Sequence, residues 1–164
     1  MAEELLSLLE KEEKELQFDD FNSETAINLG LYMIEKAKKE GKKITIDISK
    51  NGQQLFHYSF DGTSPANDDW VIRKNRVVNK YFMSSLRLKL TLEKLNTTLE
   101  ELYKVSSFDY PPVGGAFPII VKKAGIVGTI AVSGLSPTKD HNMVVESIKE
   151  FLEIKGDNIE INNK

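Results

Sequence analysis

Asp140-His141 is the pair in this chain best suited to proton transfer or ligation, because a carboxylate beside an imidazole can orient one ring nitrogen and leave the other free. The pair follows Val132-Ser133-Gly134-Leu135 and lies just inside a helix start marked by Ser136-Pro137, where proline occupies a position whose amide has no helical partner anyway. A second glycine-bearing stretch, Gly114-Gly115-Ala116-Phe117-Pro118-Ile119, leads into an apolar segment. The two stretches flank one expected hairpin, so Gly114, Gly115, Ser133 and Gly134 can meet at a single sheet edge. Uncovered amides and the positive end of the following helix would suit an anion or carboxylate there. The plainer account of these glycines is tight turns.

Between Trp70 and Leu92 the chain carries six basic residues, Arg73, Lys74, Arg76, Lys80, Arg87 and Lys89, and no acidic one. In one continuous helix, Arg73, Arg76, Lys80 and Arg87 would share a face. Such a face is either solvated and paired with acidic helices, an anion site, or an interface reading the acidic amino-terminal helix of a neighbouring subunit. His57 alternates with Leu55 and Ser59, which is the pattern of an edge-strand side chain, and Met33, Met83 and Met143 fall on helical core stripes. Cysteine is absent, which removes disulfides, thiolate metal sites and cysteine nucleophiles together, and no metal site is expected. No phosphate loop, dinucleotide fingerprint, His-Glu-x-x-His or nucleophile elbow occurs.

The elements that must position these residues follow from periodicity. Leu5, Leu6, Leu9 and Leu16 predict an amphipathic helix near 2–14, and Asn22-Ser23 caps a second helix running to about Glu40, with Gly41 as its left-handed terminator. Ile44 to Ile48 and Gln53 to Phe60 alternate on either side of Asn51-Gly52, a hairpin turn whose two residues tolerate positive φ. Asn67-Asp68-Asp69 is expected to cap a long helix that continues through Leu86 to Leu92, although Ser84-Ser85 could mark a break or a close packing point. Thr98-Leu99-Glu100-Glu101 has capping-box spacing and predicts a short helix to Lys104. Tyr110 to Gly115 is a shaped loop, Ala116–Lys122 and Ile126–Ser133 form the second hairpin, and the last helix carries Val144, Val145, Ile148, Phe151 and Leu152. The polar tail from Gly156 to Lys164 is expected to fray.

The order predicts a single α+β domain: an antiparallel sheet with helices on its faces. The 164 residues suffice for one core, and 40% hydrophobic with 29% charged residues is the balance of a globular chain. A net charge of −3 argues against nucleic acid as a partner. Acidic residues at the start and the lack of a long apolar run argue against a secretory leader or a membrane span, so a cytoplasmic location is expected.

Gly114 to Ile119, then Gly128, Val132-Ser133-Gly134 and Asp140, with Asp61-Gly62 before a helix bearing Lys74, resembles the GlcG/HbpS-like, or haem-degrading domain, family. Asn67-Asp68-Asp69-Trp70, Arg73-Lys74-Asn75 and Ser84-Ser85 look closer to a bacterial and fungal branch of it with no settled activity. The resemblance spans roughly residues 20 to 155, which divides the chain into an amino-terminal helix and connector (1–20), the domain (21–155) and a tail (156–164). It implies a profilin-like fold with a five-stranded antiparallel sheet, homo-oligomers, and, in some relatives, haem or corrinoid binding. Haem would need an axial ligand such as His141 and an apolar slot. Three readings of function stay open: a small-molecule binding protein for a haem-like or anionic ligand held by Arg73 and Lys74 beside Gly114, Gly115, Ser133 and Gly134; an oligomeric accessory protein without catalysis; or a haem-handling or organic-acid enzyme using His141 and Asp140.

Overall fold

A computed structural model describes residues 1–162, with side chains described to residue 153. The elements in chain order are α1 (Ala2–Glu15), α2 (Ser23–Lys39), β1 (Thr45–Lys50), β2 (Gln53–Ser59), α3 (Pro65–Tyr81), α4 (Ser85–Lys94), α5 (Leu99–Tyr103), β3 (Ala116–Val121), β4 (Gly125–Ser133) and α6 (Pro137–Asn162). The four strands form one antiparallel sheet in the order β2-β1-β4-β3. The expected fifth strand is absent among the described residues. The connector from α1 pairs with β3 through a single bridge, Phe18 to Val121, made by backbone hydrogen bonds to Ile120 and Lys122, and Asp19 follows it with an ion pair to Lys122 at 2.9 Å instead of extending the pairing into a strand.

Alternation gives the sheet two different faces. Ile46 and Ile48 of β1, Ile130 and Val132 of β4, and Phe117 and Ile119 of β3 point into the main core with α2 and α6. The opposite face, under α3, carries Thr45, Asp47, Thr129 and Ser133, all buried, around the smaller apolar cluster of Val71, Val78, Ala116 and Ala131. The first hairpin turns on Asn51 and Gly52, at φ 51° and 79°, as both turn residues of a tight hairpin require. A Cβ on Gly30 would come within 2.5 Å of the Phe56 ring, so glycine lets α2 lie against β2.

The expected long helix is two helices. Ser64, with Asn67 as its reciprocal partner, caps α3, rather than Asn67-Asp68-Asp69. At its other end Phe82 takes a left-handed conformation (φ 53°), and Ser84 opens α4 by accepting a hydrogen bond from Arg87 N. Ser85 Oγ accepts from Ala116 N at 3.0 Å, docking α4 on the start of β3. Glu13 of α1 accepts from Ser84 N at 2.8 Å and from Arg87 Nη1 at 2.6 Å. The capping box at Thr98 and Glu101 forms as expected. At the carboxyl end α6 takes in the segment expected to fray as far as Asn162, while residues 163 and 164 lie outside the described residues. No helix among the described residues is long and apolar enough to cross a membrane.

Candidate functional site

The α3 residues Asn67, Trp70 and Lys74 are spaced to project from one side of the helix, toward the place where β4 ends and α6 begins. There they line a cavity of about 340 Å³ with Val113, Ser133 and Asp140. Lys74 is 3% exposed. Its Nζ donates to Asp140 Oδ2 at 2.8 Å and to the carbonyl of Val132 at 3.1 Å, which leaves one of three N–H groups without a protein acceptor among the described residues. Asp140 accepts from Leu135 N through Oδ1 at 2.9 Å, and Asn67 Nδ2 donates to Ser133 Oγ at 3.1 Å. The ion pair thus ties a helix on one face of the sheet to a helix on the other, around the end of β4.

Gly115 is what allows this approach. At φ 128°, a Cβ there would fall 2.5 Å from Lys74 Nζ and 2.7 Å from the Val132 carbonyl oxygen. A Cβ on Gly114 would run into the Pro137 carbonyl, and one on Gly134, at φ 132°, would fall 2.7 Å from the carbonyl oxygen of Lys43. These glycines therefore serve close backbone approach as well as turning, while Gly134 also lines the cavity. Burial pushes the Lys74 ammonium below the ordinary lysine value, with Asp140 opposing. Burial likewise pushes the Asp140 carboxyl above the ordinary aspartate value, with Lys74 and the Leu135 amide opposing. Desolvation outweighs the attraction on both sides, as is common for an enclosed pair.

Four expected residues, Lys74, Ser133, Gly134 and Asp140, line the cavity, and Gly115 stands behind Lys74. His141 does not join them. It is 1% exposed, with Nε2 3.0 Å from Glu12 Oε2 of α1 and its ring set edgewise to Phe117 at 6.1 Å, while Nδ1 has no hydrogen-bond partner among the described residues. Adjacent positions on a helix point about 100° apart, so Asp140 faces the cavity and His141 the core. Arg73 also lies outside, stacking its guanidinium 4.0 Å from the Trp70 ring and 4.8 Å from that of Phe108. The single basic face dissolves with the helix break: Arg87 pairs with Glu10 and Glu13 of α1, and Arg76 with Asp109 at 3.6 Å. Pairing with an acidic helix of the same molecule was one of the expectations for these side chains, and Arg87 fulfils it. His57 lies on edge strand β2, with Nε2 3.0 Å from Asp68 Oδ1.

Sequence reasoning passed over Asn67 and Trp70 as cavity residues, although their spacing from Lys74 by seven and four is a helical-face signal. Leu135 and Pro137, which complete the wall, carry no chemical signature.

Comparison with known proteins places these features in a wider set. Residues 21–149 match the family model described as haem degrading protein HbpS-like. A UPF0303 protein of Edwardsiella ictaluri is 43% identical over 153 residues, covering 93% of this chain and 98% of that protein. The crystal structure of the Ybr137w protein superposes with a TM-score of 0.84 at 31% identity, over 92% of this chain and 88% of that one. A PduOC complex with haem shares the fold, with a TM-score of 0.63 at 14% identity over 74% of this chain and 87% of that one.

Proposed function

The chain belongs to the HbpS-like family of haem-degrading proteins, and from that premise we propose that it binds a small organic acid in the cavity between α3, the end of β4 and the start of α6. The observation that carries this reading is Lys74: a buried ammonium lining a cavity, with one N–H that has no acceptor among the described residues. Asp140 balances its charge, and the partial positive charge at the start of α6 tips the local field toward an anion. Asn67 and Ser133 supply neutral polar contacts, and Trp70 supplies a flat apolar wall. Arg73, stacked on the outer side of Trp70, stiffens that wall instead of touching the ligand.

The family description raises haem, and the residues here do not fit its axial ligation at this cavity. Neither histidine lines it: His141 is held by Glu12 beneath α1, and His57 is held by Asp68 on the far edge strand. Met33 and Met143 are buried in the main core. A carboxylate ligand needs none of them.

Calorimetric titration of the purified chain with a panel of short mono- and dicarboxylates tests the proposal. At least one should bind saturably, and Asn67→Ala combined with Ser133→Ala should weaken it roughly tenfold, the usual effect of losing polar contacts. A panel with no saturable member, or binding indifferent to the double variant, refutes the reading. Haemin serves as the control. A stoichiometric Soret shift abolished by His141→Ala would replace the organic acid with haem.

A further inference from the structure

The cavity between α3, the end of β4 and the start of α6 is divided in its chemistry. Lys74, Asp140, Ser133 and Asn67 gather at a polar end, and the remaining lining side chains, Trp70, Val113, Leu135 and Pro137, make an apolar one. The polar end holds a single cation, with Asp140 2.8 Å from it. The Asn67 amide is fixed from both sides: Oδ1 accepts from Ser64 N at 3.0 Å and Nδ2 donates to Ser133 Oγ at 3.1 Å. One N–H of Asn67, one N–H of Lys74 and the O–H of Ser133 are left without an acceptor among the described residues. Those donors suit the two oxygens of one carboxylate. A second carboxylate would meet either Asp140 or the apolar end, where no lining side chain is positively charged, and a buried charge without a partner is costly.

The apolar end has a flat side. Trp70 is 36% exposed, so its ring is within reach of a ligand. The Arg73 guanidinium lies 4.0 Å from that ring and 4.8 Å from the ring of Phe108, and Arg73 Nη1 donates to the Phe108 carbonyl at 3.3 Å. A cation stacked on two aromatic rings and bonded to a loop backbone holds the indole in one orientation. Arg73 does not line the cavity, so it covers one face of the indole and leaves the other to a ligand. Trp70 and Lys74 are about one turn apart, ~6 Å along α3, a span that a single-ring acid covers. The cavity volume of about 340 Å³ is enough for one ring and lies near the lower end of the range for ligand sites.

Building on the organic-acid reading of this cavity, we propose that its ligand is an aromatic monocarboxylate, with the ring laid on the free face of Trp70 and the carboxylate turned to Lys74, Asn67 and Ser133. Trp70 is then the residue that sets specificity, and Arg73 positions it from behind without touching the ligand.

Trp70 is the only tryptophan of the chain, so its fluorescence reports on this site alone. Benzoate should change that fluorescence saturably. By calorimetry it should bind roughly three- to tenfold tighter than cyclohexanecarboxylate, its saturated counterpart, because only a flat ring gains from stacking. It should also bind roughly tenfold tighter than succinate, whose second charge has no partner. Trp70→Leu keeps an apolar side chain at an exposed position and should erase the advantage of benzoate over cyclohexanecarboxylate. Val113→Asp, outside any helix or strand, sets a negative charge at the apolar end and should weaken benzoate roughly tenfold with Trp70 still in place. Failure of every carboxylate to bind would remove the organic-acid reading and this assignment together. Binding of succinate or cyclohexanecarboxylate as tight as that of benzoate, a benzoate advantage that survives Trp70→Leu, benzoate affinity indifferent to Val113→Asp, or saturable binding that leaves Trp70 fluorescence unchanged would overturn the aromatic assignment alone.

Discussion

Lys74 and Asp140 are the residues whose removal separates ligand chemistry from architecture. Truncating one partner strands the other as a buried charge, so Lys74→Met should lower unfolding free energy by about 3–5 kcal/mol, the usual cost of breaking an enclosed pair. Lys74→Met/Asp140→Asn removes both charges while keeping an acceptor for Leu135 N, and should recover most of that loss in denaturant unfolding. The pH dependence follows from the two opposed shifts. Asp140 has a raised folded value, so its contribution is fully present below the ordinary aspartate value and is lost as pH rises through the folded one. Lys74 has a lowered folded value, so its contribution is present above the ordinary lysine value and is lost as pH falls through the folded one. Between them, near neutrality, the charged pair is at its least favourable. The neutral double variant should therefore compare best with the wild type near pH 7 and lose ground toward either extreme. A gap independent of pH would show that desolvation does not dominate the pair.

At the scale of elements, the break between α3 and α4 decides what Arg87 and the serines do. Phe82 is 65% exposed and left-handed, a conformation in which a Cβ is unfavourable. Phe82→Gly should stabilise the protein by about 0.5–1 kcal/mol, the relief of strain exceeding the added freedom of glycine in the unfolded chain. Thermal unfolding would register this as a raised midpoint, and a lowered one would mean that the Phe82 ring contributes contacts despite its exposure. This break was the part least legible in the sequence. Leu86, Leu88, Leu90 and Leu92 look continuous with the preceding helix, and a left-handed phenylalanine carries none of the Gly or Asn signature that normally ends one. The helix ends that were legible, Asn22, Thr98 and Pro137, announce themselves by local chemistry. Both hairpins were legible for the same reason. The site divided along this line too: Asp140 and Lys74 were recognised as candidates, but only the rotation along α6 tells Asp140 from His141.

At the scale of the whole molecule, acidic α1 is fastened by its polar side, Glu12 to His141 and Glu10 and Glu13 to Arg87, so the inner charges of this helix are satisfied within the chain. That weakens the idea that α1 recruits a neighbouring subunit through a basic face. Self-association would instead use apolar surface, and α2 offers it: Ile27 and Leu31, one turn apart, are 47% and 51% exposed, on a helix whose opposite side holds the main core. Adjacent on one helical face, the two side chains make a small apolar patch of the kind an interface uses. Native mass spectrometry at micromolar concentration should show a homo-oligomer. Ile27→Glu/Leu31→Glu should shift it toward monomer by weakening association at least tenfold, since like charges would be brought together across the contact. The helix itself should survive, because both positions lie outside the core and glutamate is a good helix former. Unchanged circular dichroism with a lower mass would locate the interface on α2; a wild-type monomer, or an oligomer untouched by the two glutamates, would remove α2 from the assembly.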